Sequence, residues 1–202
     1  MTDSTVTTLT PDHAHWPRQL KDRFGERCPP SLTALGNPAL LATPLTAFFC
    51  SARCPGDAIL RAYDQAAHWR DAGRAVIGGF HSPMEKDCLR ILLRGPQPIV
   101  VCPARGLPVR LAPELLGPIT TGRLLMLTPF PESERRVTHE LAAQRNYFVA
   151  ALAADVWFAH ITPGGQMENL AKAIGCWSPA STPSPNPSSR TSSAPFPSSP
   201  RP

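Results

Sequence analysis

Residues 46–102 read TAFFCSARCPGDAILRAYDQAAHWRDAGRAVIGGFHSPMEKDCLRILLRGPQPIVVC, and this stretch decides the fold. It contains three short apolar runs, at 46–50, 75–78 and 98–102. Between these runs lie two longer amphipathic segments, 57–72 and 83–93. Short apolar runs are typical of buried strands, and amphipathic segments of this length are typical of helices. Their alternation predicts βαβ units around a parallel sheet.

The same alternation continues towards the C-terminus. Two further strands are predicted at 124–127 and 156–160, and two further helices at 138–153 and 166–174. We therefore predict an α/β fold with a Rossmann-like, doubly wound and mainly parallel sheet of about five strands. Ligands of such folds bind at the carboxyl ends of the strands, so the loops at that edge are where ligand contacts are expected.

The 202 residues include 25 prolines, which points to segments outside the core. We predict a Rossmann domain at 45–177, preceded by an N-terminal arm at 11–44 that packs on it. Residues 1–10 are polar and threonine-rich, and 178–202 are almost wholly Ser, Pro and Thr. Both ends are predicted to be disordered, because they carry too little apolar surface to offset the entropy of ordering.

Several classes of protein are excluded by simple patterns. No apolar run approaches the roughly 18–20 residues that a membrane span needs. The first ten residues lack a basic segment followed by an apolar one, which a secretory signal requires. We expect a cytoplasmic protein. Cys50 and Cys54 have no second cysteine pair or nearby histidine, so we predict no zinc, no other metal and no cofactor.

The charge balance favours a phosphate-bearing partner without identifying one. Lys and Arg number 20 against 15 for Asp and Glu, a difference of 20 − 15 = 5, and only three of the 20 are lysines. Guanidinium groups suit phosphate because they offer a two-pronged donor. Genomic base composition would also raise Arg, Ala and Pro together, so the charge alone does not decide the ligand.

The loop after the first predicted strand, 51–57, runs directly into a helix. Free backbone N–H groups at a helix start bind anions. Ser51, Arg53 and Gly56 are therefore candidate phosphate contacts. The alternative is an ordinary strand-to-helix turn in which Asp57 is the N-cap.

The loop after the second strand has a strongly specified helix start. Ser82 followed by Glu85 forms the pattern of a capping box, with Pro83 at the first helical position. Paired glycines before it allow a ligand to approach the backbone closely. The candidate contacts in this loop are Gly78, Gly79, His81, Ser82 and Lys86. The capping function lowers the expectation that Glu85 is an acid or base catalyst.

Five more candidates lie at the same predicted edge. Arg105 follows the third strand, Arg145 and Asn146 lie on the long helix, and Gly164 and Gly165 open the last helix. Basic residues on a helix can bind phosphates, although most such charges are only solvated. Each junction is a weak signal, and their coincidence at one edge favours a phosphate-bearing ligand.

The N-terminal arm contains an extended motif, W-P-R-Q-L…C-P-P-S-L-T-A-L-G-N-P-A-L-L. It resembles the Y-P-x-x-L…P-P-x-x-L-x-x-x-G-x-x-x-L-L arm of the DprA/Smf family of DNA-processing proteins, and later motifs follow in the family's order. Further matches are Ser51-Ala52-Arg53 with G-S-R, residues 78–85 with S-G-L-A-R-G-I-D, residues 145–152 with R-N-R-I-I-A-G-L, and residues 164–167 with S-G-x-L. The resemblance spans residues 16–174.

The resemblance implies a divergent, core-only relative, because it departs from the family at defined positions. Ser51 replaces the glycine of G-S-R, Ser82 replaces the arginine of the second motif, and Tyr147 replaces the third residue of R-N-R. What it implies is binding of single-stranded DNA and transfer of the strand to a RecA-type recombinase during recombination or transformation. It also implies a homodimer. Phe80 and Tyr147 would offer stacking faces to bases.

Two alternatives remain open. Residues 163–166 begin the P-G-G-x-G-T-x-x-E signature of the Lonely Guy phosphoribohydrolases, but Ala171 stands where that signature has its glutamate. Without that carboxylate, Glu85 or Glu168 would have to supply the acid or base, so we expect a protein that is not an enzyme. The other alternative is a nucleotide-binding sensor module that uses the same loops.

Overall fold

The computed structural model describes residues 6–175, and within them seven strands form one sheet. The strands are β1 (Val6–Leu9), β2 (Leu32–Gly36), β3 (Thr46–Phe49), β4 (Val76–Gly78), β5 (Ile99–Val101), β6 (Leu124–Thr128) and β7 (Asp155–Phe158). The helices in this range are α1 (Gln19–Phe24), α2 (Gly56–Asp71), α3 (Pro83–Leu93), α4 (Pro113–Thr120), α5 (His139–Leu152) and α6 (Gln166–Gly175). None of these helices is long and apolar enough to cross a bilayer.

The strand order is β1-β2-β6-β5-β4-β3-β7. Strands β3 to β7 are parallel, whereas β2 pairs antiparallel with β6, and β1 pairs antiparallel with β2. The chain runs outward from β3 through β4 and β5 to β6 and then returns to place β7 on the other side of β3. This reversal creates the topological switch point at which doubly wound folds bind ligands. The prediction of a doubly wound, mainly parallel α/β fold is confirmed.

Helices cover both faces of the sheet. Along β3, Ala47 and Phe49 face one apolar cluster with residues of α1, α5 and α6, while Phe48 faces a second cluster with residues of α2, α3 and α4. All three side chains are buried. Parallel strands read as nearly continuous apolar runs because both of their faces are covered in this way.

The N-terminal prediction was wrong in part. Residues 1–10 were predicted to be disordered, but Val6–Leu9 forms an edge strand, and Leu9 is fully buried. The predicted arm at 11–44 contributes β2 to the sheet itself, which raises the strand number from about five to seven. Antiparallel pairing of β2 with β6 joins residues far apart in sequence, so no local pattern revealed it. The predicted tail at 178–202 lies outside the described residues.

The remaining predicted elements form within two residues of their expected bounds. Helices α1 and α4 are additions. α4 begins at Pro113 and includes Pro118, so its sequence reads as loop. Since a proline in the first turn costs no hydrogen bond, the helix can start there.

Candidate functional site

A cleft of about 300 Å³ lies at the carboxyl ends of the parallel strands, next to the switch point between β3 and β7. Its walls come from the loop after β3, the start of α3, the first half of α5 and the start of α6. The structure brings seven of the predicted site residues to this cleft: Ser51, Arg53, His81, Ser82, Arg145, Asn146 and Gly165.

Hydrogen bonds fasten the loop after β3 to the loop after β7. The backbone N–H of Ser51 donates to the carbonyl of His160 at 3.0 Å. The Oγ atom of Ser51 accepts from the N–H of Thr162 at 2.9 Å, and the Thr162 hydroxyl donates to the carbonyl of Arg53 at 3.4 Å. These bonds fix the backbone from which the exposed Arg53 side chain reaches the cleft.

The predicted capping box at the start of α3 is present. Ser82 Oγ accepts from the Glu85 N–H at 3.2 Å. Glu85 Oε2 accepts from the N–H groups of His81 and Ser82, each at 3.0 Å. These two backbone donors are therefore already satisfied within the protein. The Glu85 carboxylate also adds a negative charge to the cleft wall, so the start of α3 is less suited to an anion than the sequence indicated.

Arg145 is a buried cation in the cleft wall. Its side chain is 5% exposed, with Nε donating to Asn146 Oδ1 at 2.8 Å and Nη1 donating to the carbonyl of Cys102 at 3.1 Å. It forms no salt bridge with any carboxylate of residues 6–175. Burial lowers the pKa of the guanidinium, and the nearby Glu85 acts in the opposite direction. Arginine remains protonated at neutral pH.

The start of α6 is also capped from within. Glu168 Oε2 accepts from the N–H of Gly164 at 2.9 Å and lies 3.3 Å from Lys172 Nζ. The hydrogen bond from Gly164 and the nearby ammonium lower the pKa of Glu168. Gln166 joins this helix to α5, because its Nε2 lies 3.0 Å from His139 Nδ1 and donates to the His139 carbonyl at 3.2 Å.

Of the six other predicted site residues, Gly79 lies against the guanidinium of Arg145, and the remaining five lie away from the cleft lining. Gly56 and Lys86 are exposed on α2 and α3, and Gly164 is exposed before α6. Arg105 is exposed after β5, with Nη1 3.5 Å from the carbonyl of Arg135. Gly78 lies buried within β4.

Two further expectations need correction. Asp57 is not the N-cap of α2, because Pro55 holds that position and Asp57 instead pairs with Arg61 at 2.6 Å. Phe80 cannot stack on a ligand, since it is 5% exposed and its ring packs against Gly78. The other residue predicted to stack on bases, Tyr147, is half-buried, with its ring edge-on to Phe24 at 5.0 Å, and its stacking role stays a prediction.

His139, Thr162 and Gln166 line the cleft although they were not predicted as site residues. Thr162 lies in the loop after the last parallel strand and Gln166 begins the helix that follows, so their place at the carboxyl edge was the available signal. His139 is an exposed residue that begins α5, and no local pattern singled it out. Within residues 6–175, no group of three or more His, Cys, Asp or Glu side chains is arranged to hold a metal ion.

Comparison with solved structures relates this architecture to known proteins. DNA processing protein A (DprA) from Streptococcus pneumoniae superposes with a TM-score of 0.66 at 15% identity, over 84% of this chain and 60% of that chain. The Helicobacter pylori DprA structure, which describes a single-stranded DNA binding mode, superposes with a TM-score of 0.67 at 16% identity. That match covers 87% of this chain and 80% of the other.

The chain has the fold of the DprA proteins. The resemblance first seen in ordered motifs is thus confirmed at the level of the DprA fold. The chain spans 60% of the length of the S. pneumoniae protein. No protein-family model and no curated protein sequence matches it significantly.

Proposed function

We propose that this chain binds single-stranded DNA in a DNA-processing role, through the cleft beside β3 and β7. The observation that carries the proposal is the buried Arg145 guanidinium, which lines the cleft and has no carboxylate partner among residues 6–175. A buried charge without a counter-ion is costly unless a ligand supplies the opposite charge. A backbone phosphate would do so.

The shape and charge of the cleft support a nucleotide unit as its occupant. Arg145 stands deep in the wall and Arg53 stands exposed at the loop after β3, while Glu85 is already engaged in the capping box. A volume of about 300 Å³ lies at the small end of the range for ligand pockets, so the cleft suits one unpaired nucleotide and not a duplex. The single-stranded DNA binding mode of the H. pylori protein, which shares this fold, supports the same ligand.

The carboxylates required for catalysis are otherwise occupied, which supports binding without turnover. Glu85 accepts two backbone N–H groups, and Glu168 accepts one and pairs with Lys172. Ala171 stands at the position where a phosphoribohydrolase signature has glutamate. The wider proposal is a cytoplasmic protein that hands its strand to a RecA-type recombinase and acts as a homodimer.

The test is binding of a labelled oligonucleotide, single-stranded and duplex, across a salt series. The variant is Arg53→Ala, because Arg53 is exposed and its truncation spares the core. The matched control is Arg90→Ala, which also removes one exposed arginine but lies outside the cleft. Arg53→Ala is expected to weaken single-strand binding and to reduce the slope of log affinity against log salt concentration by about 0.7. Arg90→Ala is expected to resemble the wild type.

Equal affinity for duplex and single strand, or no binding at low salt, would contradict the proposal. An equal loss in both variants would show that net charge, and not the cleft, binds the strand. Saturable binding of a nucleoside monophosphate without strand binding would support the alternative of a nucleotide sensor.

A further inference from the structure

A second cavity of about 410 Å³ lies between α5 and α6 and adjoins the cleft beside β3 and β7. We call it the α5–α6 groove. The two cavities share His139, Asn146 and Gln166 in their walls. A ligand bound in the cleft can therefore extend into the groove without leaving the protein surface.

The residues that line the groove form one stripe on each helix. The stripe of α5 has the helical spacing of His139, Ala143, Asn146 and Tyr147, and that of α6 has the spacing of Gln166, Asn169, Leu170 and Ala173. Facing stripes of packed helices are normally filled by large apolar side chains. Here five of the eight lining residues are alanines or amides, so the two helices leave space between them.

Asn146 places a side-chain amide in the wall of this groove. Its side chain is 7% exposed, and its Oδ1 accepts from Arg145 Nε at 2.8 Å. The amide Nδ2 can donate only, so it suits an acceptor atom on a ligand that enters the groove.

We propose that the α5–α6 groove is a nucleobase subsite for the ligand whose phosphate lies in the cleft, an inference that rests on the proposed function. A nucleobase has apolar faces and polar edges. Leu170, Ala173 and the Tyr147 ring offer apolar surface, while the amides of Asn146 and Asn169 offer donors and acceptors of the kind that recognise base edges. Arg145 and Asn146 are consecutive and hydrogen-bonded, so one short segment contacts both phosphate and base.

The experiment compares two single strands of equal length, oligothymidine and the same strand with abasic sites, at one salt concentration. The wild type is expected to bind the base-bearing strand about tenfold more tightly. Ala143→Phe and Ala173→Phe, tested separately, each place a ring in the groove from an exposed position outside the cleft lining. Each is expected to abolish the preference while abasic-strand affinity stays at the wild-type level.

The control is Gln144→Phe, which adds the same ring to α5 next to Ala143 but lines neither cavity. It is expected to keep the preference for the base-bearing strand, and thermal unfolding of all three variants verifies that they are folded. Equal wild-type affinity for the two strands overturns the subsite while leaving the proposed function intact. An equal preference in folded groove variants and control also overturns it. Failure of the wild type to bind either strand overturns the proposed function, and the subsite with it.

Discussion

The guanidinium of Arg145 lies directly against the backbone of Gly79. A Cβ atom built on residue 79 would overlap the guanidinium, with Nη1, Cζ and Nη2 as its nearest neighbours. Gly79 follows β4 and Arg145 lies on α5, so the absence of one side chain admits the other from a distant part of the sequence. The lack of a side chain at Gly79 therefore determines how deeply the Arg145 guanidinium is buried in the cleft wall.

Gly79→Ala is therefore expected to displace Arg145 and to weaken single-strand binding. Forcing an extra methyl group into a packed site typically costs about 1–3 kcal/mol in the free energy of unfolding. The comparison is Gly56→Ala, because no atom lies within 4 Å of a Cβ at that position. Urea unfolding of both variants, followed by oligonucleotide binding, tests this. Unchanged stability and binding in Gly79→Ala would show that Arg145 relaxes freely.

Leu9→Ala tests whether the N-terminal strand belongs to the core. Leu9 is fully buried, so its truncation is expected to lower the free energy of unfolding by about 2–5 kcal/mol. Val6 lies on the same strand but is 57% exposed, and Val6→Ala is expected to change stability by less than about 0.5 kcal/mol. If Leu9→Ala and Val6→Ala lowered the free energy of unfolding by the same small amount in urea, β1 would not contribute to the stability of the fold.

Ser82→Ala tests the capping box at the cleft wall. Loss of the Ser82 hydroxyl leaves the Glu85 N–H without its acceptor, and N-cap losses cost about 1 kcal/mol. Thr138→Ala removes the corresponding N-cap acceptor of α5, so it calibrates the energy of a single cap without a box. We expect Ser82→Ala to be the more destabilising of the two in urea unfolding. The reverse order would show that Glu85 alone is enough to begin α3.

The raised pKa values of two buried thiols predict that the protein loses stability at high pH. Burial raises the pKa of Cys88 and of Cys102, each to about 12 from an ordinary value of 9.0. Between pH 9 and 12 the unfolded chain loses these protons while the folded chain keeps them, so the free energy of unfolding falls as pH rises through this window. Urea unfolding across the window is the measurement. A Cys88→Ala, Cys102→Ala double variant is expected to show a shallower fall, and an identical slope would contradict the assignment.

Local patterns in the sequence predicted the βαβ core correctly. Apolar runs such as 46–50 and amphipathic segments such as 83–93 are set by the periodicity of each element, which needs no knowledge of its partners. The capping box of Ser82 and Glu85 was equally readable, because both of its hydrogen bonds join residues three positions apart. The cleft edge followed from the rule that parallel strands present their carboxyl ends together.

Side-chain direction at that edge was not readable. Arg145 and Arg105 looked alike as basic residues, but the glycine at position 79 lets Arg145 become buried, whereas Arg105 remains exposed. Phe80 was predicted to offer a stacking face to bases. Its backbone adopts the left-handed conformation, with a φ of 46°, and its ring is buried in the core.

By itself, the sequence determined the order and type of the core elements and the strand edge at which the cleft lies. Only the tertiary structure decided that β1 and β2 extend the sheet, that β7 lies beside β3, and which side chains meet in the cleft. The physical reason is distance along the chain. Periodicity and capping act over a few residues, whereas strand pairing, burial of a cation and space between two helices depend on segments that come together only when the whole chain folds.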